Sequence, residues 1–204
     1  MKLNLNHQLS LLTLAGLLAS AAQPLHAQSL LLNGSFETQG GSFDNWNVNS
    51  PGASLIIDSP TGNNHVNAFQ SSTPDGGSYY ALFTSSAINS TLDQAFATTP
   101  GTQYDINFYV NDPHGNSALT VKAGSSALLN IPDGYTALDG LGWVDFNYTY
   151  QATGPSTDLA FAGLSGSFLG VDAVTVTSVP EPGTVALDSL WALGLALLRY
   201  RRVA

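Results

Sequence analysis

The sequence contains no cysteine in its 204 residues, and only five of those residues are lysine or arginine. Without cysteine, the chain cannot form a disulfide, use a thiol nucleophile or bind zinc or an iron–sulfur cluster through sulfur. Histidine is also scarce: four are present, and only His65 and His114 lie between residues 28 and 179. The composition therefore argues against a histidine-rich metal cage.

Basic residues are almost absent from the central part of the chain. Residues 28–179 contain twelve of the fourteen acidic residues and a single basic one, Lys122, which leaves about eleven net negative charges. Nucleic-acid binding requires Lys and Arg to displace counterions from phosphates, so this charge argues against a nucleic-acid partner. Two explanations of the acidity stay open, namely solubility outside the cell and cation binding by carboxylate oxygens.

Helical periodicity is missing between residues 28 and 180, whereas the period-two alternation of β-strands recurs. The clearest examples are YDINFYV, which begins at Tyr104, and WVDFNYTYQA, which begins at Trp143. Roughly nine such segments, the first at residues 29–36, are separated by turns rich in Gly, Pro, Asn and Asp. The pattern predicts an all-β fold, a two-sheet antiparallel β-sandwich or jelly roll over residues 28–178.

Residues 1–27 have the features of a secretory signal peptide. Lys2 precedes an apolar run over residues 9–22, and the small residue Ala27 follows it. The alternative is a membrane anchor that stays uncleaved, but the run is shorter than the roughly 17–25 residues that span a bilayer. We therefore predict an N-terminal signal helix that directs export and is removed.

The C-terminal end combines two prolines, an apolar run and a basic cluster. Pro180 and Pro182 predict an extended, exposed segment of the kind that a protease or transpeptidase recognises. Residues 185–198 are mostly apolar and predict a C-terminal helix that acts as a weak membrane anchor. By the positive-inside rule, the cytoplasmic end of this anchor is the cluster of Arg199, Arg201 and Arg202. The alternative is a core helix that packs on the domain.

This order of features resembles the PEP-CTERM sorting signal. The residues that match its motif are Val179, Pro180, Glu181 and Pro182. In that family an inner-membrane exosortase reads the signal and removes the tail, and the protein moves to the cell surface or extracellular matrix of a Gram-negative bacterium. The resemblance implies an exosortase-type partner, a transient inner-membrane anchor and a role in an exopolysaccharide or biofilm matrix.

The central part is similar to the galactose-binding-type jelly roll of carbohydrate-binding modules in the family 4 and 9 group. The segments that carry this resemblance are NGSFE at residues 33–37, GGSYYALF at 76–83 and GVDAVTV at 170–176. It implies that the first and last strands lie together and that a structural calcium ion binds near them, with Glu37 and Asp172 as ligands. Such an ion takes carboxylate and carbonyl oxygens. The alternative is a solvated Glu37 and an exposed Asp172.

Glycan binding in such modules uses aromatic faces together with amide and carboxylate groups. Trp143 follows a Gly-Leu-Gly loop and alternates with Val144 of the apolar face, so we predict that it is exposed and binds ligand. Trp46 follows the NGSFE turn and is predicted to lie in the core.

The sequence contains no recognisable catalytic motif, and its few histidines and single central lysine leave few general bases. We therefore predict a non-catalytic, exported surface or matrix protein that binds glycan or exopolysaccharide. Two alternatives stay open: a structural or adhesive biofilm matrix protein without a sugar site, and a glycoside hydrolase whose paired carboxylates sequence alone cannot reveal.

Overall fold

The computed structural model describes residues 28–59, 73–84, 89–165 and 168–180. These residues form three 3₁₀ turns and ten strands: β1 Asn47–Asn49, β2 Leu55–Asp58, β3 Tyr80–Phe83, β4 Ser90–Ala97, β5 Gln103–Asn111, β6 Ser117–Ala123, β7 Ser126–Ile131, β8 Val144–Gln151, β9 Ser156–Ser165 and β10 Leu169–Ser178. The described segments contain no helix of the length and hydrophobicity needed to cross a membrane. The predicted signal helix and C-terminal apolar helix lie outside the described residues.

The strands form two antiparallel sheets of five strands each. Sheet A has the order β1-β4-β9-β6-β7, and sheet B has the order β2-β3-β10-β5-β8. Strand β5 shows the expected alternation, with Tyr104, Ile106, Phe108 and Val110 buried. Strands β4 and β6 also bury every second residue, because one face of each sheet packs against the other sheet. The prediction of an all-β, two-sheet sandwich is confirmed.

Aromatic side chains fill the space between the sheets. The Phe161 ring lies 5.2 Å from the Phe108 ring and 6.3 Å from that of Trp46, which in turn lies 5.6 Å from Phe36. Trp46 is buried, as the sequence predicted, and its indole Nε1 donates a hydrogen bond to the carbonyl of Asn33 at 2.9 Å. The NGSFE turn is therefore fixed to the core by this ring.

The predicted strand at residues 29–36 is wrong, because this segment bends and turns instead. Asn33 and Phe36 adopt left-handed φ angles of 53° and 59°, which an extended strand does not allow. The segment still lies along β10: the Leu30 amide donates to the Val176 carbonyl at 2.7 Å, and the Val174 amide donates to the Gly34 carbonyl at 2.9 Å. The first and last segments of the sandwich therefore lie side by side.

Strand β10 changes its neighbour at a bulge. Its register with β5 shifts between Asp172 and Thr175, and Ala173 has a left-handed φ of 51°. Before the bulge β10 pairs with β3, and after the bulge the N-terminal segment takes that side. Strand alternation places Asp172 on the outer face of sheet B, opposite Tyr109 of β5.

Candidate functional site

Asp172 is a completely buried carboxyl group whose two oxygens have no hydrogen-bond partner among the residues that the structure describes. Burial, followed by the negative charges of Asp75 and Glu37, raises the pKa of Asp172 to about 9. The nearby amide of Ala173 offsets only part of this rise. A buried carboxyl group without partners is unfavourable in its charged form, so this position requires a proton or a cation.

Glu37 and Asp75 hold the loop that precedes β3. Glu37 Oε1 accepts hydrogen bonds from the amides of Ser78 at 2.6 Å and Tyr79 at 2.7 Å, and Asp75 Oδ1 accepts one from the Gly77 amide at 2.8 Å. A Cβ atom at Gly77 would overlap both carboxylates, so the two groups border the same glycine. Sequence reasoning missed Asp75, although its PDGG turn stands directly before a strand.

The donor chemistry of Glu37, Asp75 and Asp172 fits a hard cation. The negative charges of Asp75 and Glu37 act on Asp172, and Lys122, the single lysine or arginine of the described segments, belongs to sheet A. In the described part of the chain, however, no group of three or more His, Cys, Asp or Glu side chains is arranged so that it could hold a metal ion. An ion here would need main-chain carbonyl oxygens to complete its coordination, as calcium sites commonly have.

A second acidic region is an open pocket on the outer face of sheet A. Its volume is about 540 Å³, and it is lined by Asn45, Trp46, Asn47, Asp93, Gln94, Ala95 and Asp158. Asp158 pairs with Ala95, and Asp93 pairs with Ala160, so the two carboxylates are diagonal neighbours on β4 and β9. Burial and the charge of Asp93 raise the pKa of Asp158.

Hydrogen bonds hold the walls of this pocket in place. Gln94 pairs with the backbone of Leu32, accepting from its amide at 2.7 Å and donating to its carbonyl at 2.9 Å. Asn47 Nδ2 donates to Asp93 Oδ2 at 3.2 Å, which orients that carboxylate. Gln94, Asn47 and Asp93 are therefore held in place, and amide and carboxylate groups of this kind suit hydroxyl-rich ligands. Sequence reasoning missed the pocket because its residues come from the turn before β1 and from β1, β4 and β9, and form no motif.

Trp143 directly precedes β8, the edge strand of sheet B. It is half-buried, its ring centroid is 5.5 Å from that of Tyr80 at an angle of 72°, and it packs in a small hydrophobic cluster with Tyr80, Leu82, Ile56 and Phe168. It does not line the sheet A pocket. Its ligand-binding role stays a prediction.

The residues of the predicted sorting signal are only partly described. Strand β10 ends at Ser178, the Val179 amide donates to the Gln103 carbonyl at 2.9 Å, and Pro180 is exposed. Glu181, Pro182, the apolar run and the arginines lie outside the described residues. The sorting signal therefore stays a prediction.

No family model matches the chain, and no curated protein matches it either. Among solved structures, TmCBM61 in complex with β-1,4-galactotriose is 17% identical, with a TM-score of 0.53 over 75% of this chain and all of that one. The enzymatically active domain of bacteriophage CBA120 tailspike protein 4 is 12% identical, with a TM-score of 0.50 over 74% of this chain and 21% of that one. A family 35 carbohydrate-binding module from Clostridium thermocellum is 10% identical, with a TM-score of 0.45 over 67% of this chain and 94% of that one. The chain shares the jelly-roll fold of TmCBM61.

Proposed function

We propose that this chain is an exported, non-catalytic protein that binds glycan in the sheet A pocket. The observation that carries the proposal is the pocket itself, about 540 Å³ in volume and lined by Asp93, Asp158, Asn45 and Asn47. Ligand sites commonly have volumes of about 300–1,000 Å³ and contain a few fixed polar groups. The shared fold with TmCBM61, a structure that contains β-1,4-galactotriose, supports a sugar as the ligand.

The chemistry of the pocket favours hydroxyl groups. The carboxylates of Asp93 and Asp158 accept hydrogen bonds, and the side-chain amides of Asn45 and Asn47 can donate and accept. Hydrogen bonds to ionised groups are roughly twice as strong as those between neutral groups. A neutral sugar residue that donates hydroxyl protons to both carboxylates would therefore be held firmly.

A glycan array that includes the producer's own exopolysaccharide tests the proposal, with the full chain as probe. We expect Asp93→Asn and Asp158→Asn each to weaken binding by about tenfold, because each loses a charge-assisted hydrogen bond. Asp105→Asn is the matched control, since Asp105 lies on sheet B and accepts from the Thr149 hydroxyl. Trp143→Ala should leave binding unchanged if the sheet A pocket is the site.

Two outcomes would contradict this assignment. Binding that is lost in Trp143→Ala but kept in both aspartate variants would move the site to sheet B. Binding to no glycan at all would leave the structural or adhesive matrix protein as the better interpretation.

One observation favours the hydrolase alternative. A carboxyl group with a raised pKa beside a second carboxylate, as in Asp158 and Asp93, is the pairing that glycoside hydrolases use. Release of reducing ends from a bound polysaccharide, lost in Asp158→Asn, would overturn the non-catalytic part of the proposal. We expect the parent chain to release no more reducing ends than Asp158→Asn does.

We also propose that a structural calcium ion binds at Glu37, Asp75 and Asp172. Support comes from the buried Asp172 carboxyl group, which has no hydrogen-bond partner in the described segments, and from its pKa, which burial and then Asp75 and Glu37 raise. An ion that binds only the folded state raises its melting temperature. An equal Tm with calcium and with chelator would contradict the proposal.

Glu37→Gln separates the charge of Glu37 from its hydrogen bonds. The amide oxygen of glutamine can still accept from the Ser78 and Tyr79 amides, so we expect the variant to fold. Without the carboxylate charge, it should lose most of the rise in Tm that calcium produces in the parent chain. Asp105→Asn, which removes a carboxylate far from this loop, should keep the full rise.

The proposal of export and surface sorting rests on the terminal sequence features. Mass spectrometry of the mature protein on the producing cell tests it. We expect a start near residue 28 and an end near Pro180–Pro182, as processing by a signal peptidase and an exosortase-type enzyme would leave. An intact RYRRVA end on surface-exposed protein would contradict C-terminal processing.

A further inference from the structure

The turn that joins β5 to β6 contains the peptide bond between Asp112 and Pro113, and no other aspartate in the sequence precedes a proline. Asp112 is completely buried. Its Oδ1 accepts a hydrogen bond from Ser117 Oγ at 3.1 Å, and its Oδ2 accepts one from the Ser117 amide at 3.3 Å. The amides of His114 and Asn116 also donate hydrogen bonds to this carboxyl group. The turn is therefore folded around the Asp112 side chain.

This hydrogen bonding holds the carboxyl group beside its own peptide bond. The bond from the His114 amide, two residues further on, directs the Asp112 side chain forward along the backbone, as in an Asx turn. The main-chain carbonyl oxygen of Asp112 accepts a hydrogen bond from the Gly115 amide at 3.4 Å, which polarises the carbonyl carbon. A carboxyl group held next to a polarised carbonyl is positioned for an intramolecular reaction, which needs no encounter between molecules.

The protonation of Asp112 and the chemistry of proline both favour such a reaction. Burial raises the pKa of Asp112, and the hydrogen bonds from Ser117, His114 and Asn116 offset part of this rise. The titratable side chains near the turn, exposed His114 and Asp139 of the β7–β8 connection, do not contribute to the shift. Asp112 therefore keeps its proton at a pH at which an ordinary aspartate is mostly ionised. The Pro113 nitrogen belongs to a tertiary amide without a hydrogen atom, and it leaves readily once it is protonated.

We propose that the folded chain cleaves its own peptide bond between Asp112 and Pro113 in mildly acidic solution. A carboxyl oxygen of Asp112 attacks the carbonyl carbon of the same residue, and a five-membered cyclic anhydride forms as the bond to the Pro113 nitrogen breaks. The carboxyl proton passes to that nitrogen, which becomes the amine of a new N-terminus. One water molecule then opens the anhydride, so the net reaction is hydrolysis of one peptide bond.

Strand pairing holds the two fragments together after cleavage. The fragment that ends at Asp112 contains β1–β5, and the fragment that begins at Pro113 contains β6–β10. Both sheets interleave them, because β4 pairs with β9 in sheet A, and β10 lies between β3 and β5 in sheet B. Cleavage therefore removes the covalent link between the sheets at this turn and leaves the sandwich assembled.

Incubation of the full chain at about pH 5, followed by denaturing electrophoresis and mass spectrometry, tests the proposal. We expect two fragments that meet between Asp112 and Pro113, at a rate independent of protein concentration because the reaction is intramolecular. In urea at the same pH, cleavage should be at least about tenfold slower, because the carboxyl group is then neither held in place nor buried. Hydroxylamine added to the folded chain should react with the anhydride and leave a hydroxamate on Asp112.

Gly154→Asp is the matched control, because it places a second aspartate directly before a proline, Pro155, in the same folded chain. The turn accepts a side chain there, since the nearest atom lies 3.7 Å from the added Cβ. The Gly154 carbonyl already accepts a hydrogen bond from Thr98 Oγ1 at 2.8 Å, so this carbonyl is polarised as well. Pro155 is exposed, and without a buried, held carboxyl group the new bond should break at least about tenfold more slowly than the one after Asp112.

Two variants of the bond itself complete the test. Asp112→Asn removes the acidic group, and Pro113→Ala replaces the tertiary amide by an ordinary one, so each should lower the fragment yield by at least about tenfold. Circular dichroism of each variant checks that it is folded. The proposal is overturned if the parent chain stays intact at this pH, if unfolding in urea does not slow cleavage, or if the new bond in Gly154→Asp breaks as fast as the bond after Asp112.

Discussion

Asp172 is a buried carboxyl group whose negative charge has to be neutralised by a proton or a cation. Within the described part of the chain its oxygens have no hydrogen-bond partner, and the charged groups that raise its pKa after burial, Asp75 and Glu37, are also negative. A proton or a calcium ion each removes this unfavourable charge. The two compete, so calcium should bind more tightly as the pH rises, because ligands must be deprotonated.

In the presence of chelator, we expect the free energy of unfolding to fall as the pH rises from about 4 to about 9. The pKa of Asp172 is about 9 in the folded chain and about 4 in the unfolded chain, so only the folded chain holds this proton between those values. The stabilisation is complete below about pH 4 and is lost through pH 9, with a slope of about 1.4 kcal/mol per pH unit.

Urea denaturation at a series of pH values checks this expectation. Asp172→Asn should remove most of the slope. A smaller slope of the same sign should persist, because burial also raises the pKa values of Asp112 and Asp158. An unchanged slope in the variant would contradict the assignment to Asp172.

The pairing of the N-terminal segment with β10 is the element that brings the NGSFE turn to Asp172. Two main-chain hydrogen bonds hold it, and the bulge at Ala173 makes room on β10 by ending the pairing with β3. The approach at Gly34 is so close that a Cβ atom there would overlap the carbonyl oxygen of Val174. Glycine is therefore required at this position because of packing.

Gly34→Ala should lower the free energy of unfolding by at least about 2 kcal/mol, because the obstructing atom belongs to the backbone and cannot rotate away. The matched control is Gly154→Ala, where the nearest atom lies 3.7 Å from the added Cβ. That variant should stay within about 0.5 kcal/mol of the parent. Urea unfolding of both variants makes the comparison, and equal stabilities would contradict the packing argument.

At the scale of the whole molecule, the dominant property is negative charge. The described segments contain a single lysine or arginine, Lys122. Asp172 lies on the outer face of sheet B, and the pocket with Asp93 and Asp158 lies on the outer face of sheet A. An anionic partner therefore meets repulsion over most of the surface. The proposed glycan ligand should accordingly be neutral or carry amino groups.

We expect no binding to DNA, RNA or uronic-acid polysaccharides in chelator, even at low salt. A neutral polysaccharide should bind with little dependence on salt, because its contacts are hydrogen bonds, which ions do not screen. Affinity electrophoresis in gels that each contain one polymer measures the binding of the anionic polymers and the salt dependence of binding to the neutral one. Retardation by an anionic polymer in chelator would show that local contacts outweigh the overall charge.

The sequence alone predicted the sandwich because strand alternation is a local property, as in Tyr104–Val110 of β5. The prediction of a strand failed at residues 29–36. There the Phe36 ring packs against Trp46, and Asn33 and Phe36 adopt left-handed φ angles, although the alternation of the segment is that of a strand. Sequence reasoning also missed the short strands β1 and β7, whose residues are mostly exposed. The four-residue strands β2 and β3 were predicted, because they bury apolar side chains, so burial rather than length decides whether the local pattern reveals a strand.

The charge, the absence of cysteine and the all-β class depend on composition and local alternation, and the sequence by itself determined them. The tertiary structure alone decided which carboxyl groups meet. Asp75 joins Glu37 and Asp172, and Asp93 joins Asp158, through strand pairings that connect distant parts of the chain. Strand order and register arise from contacts between the two sheets as a whole, and no short stretch of sequence contains that information.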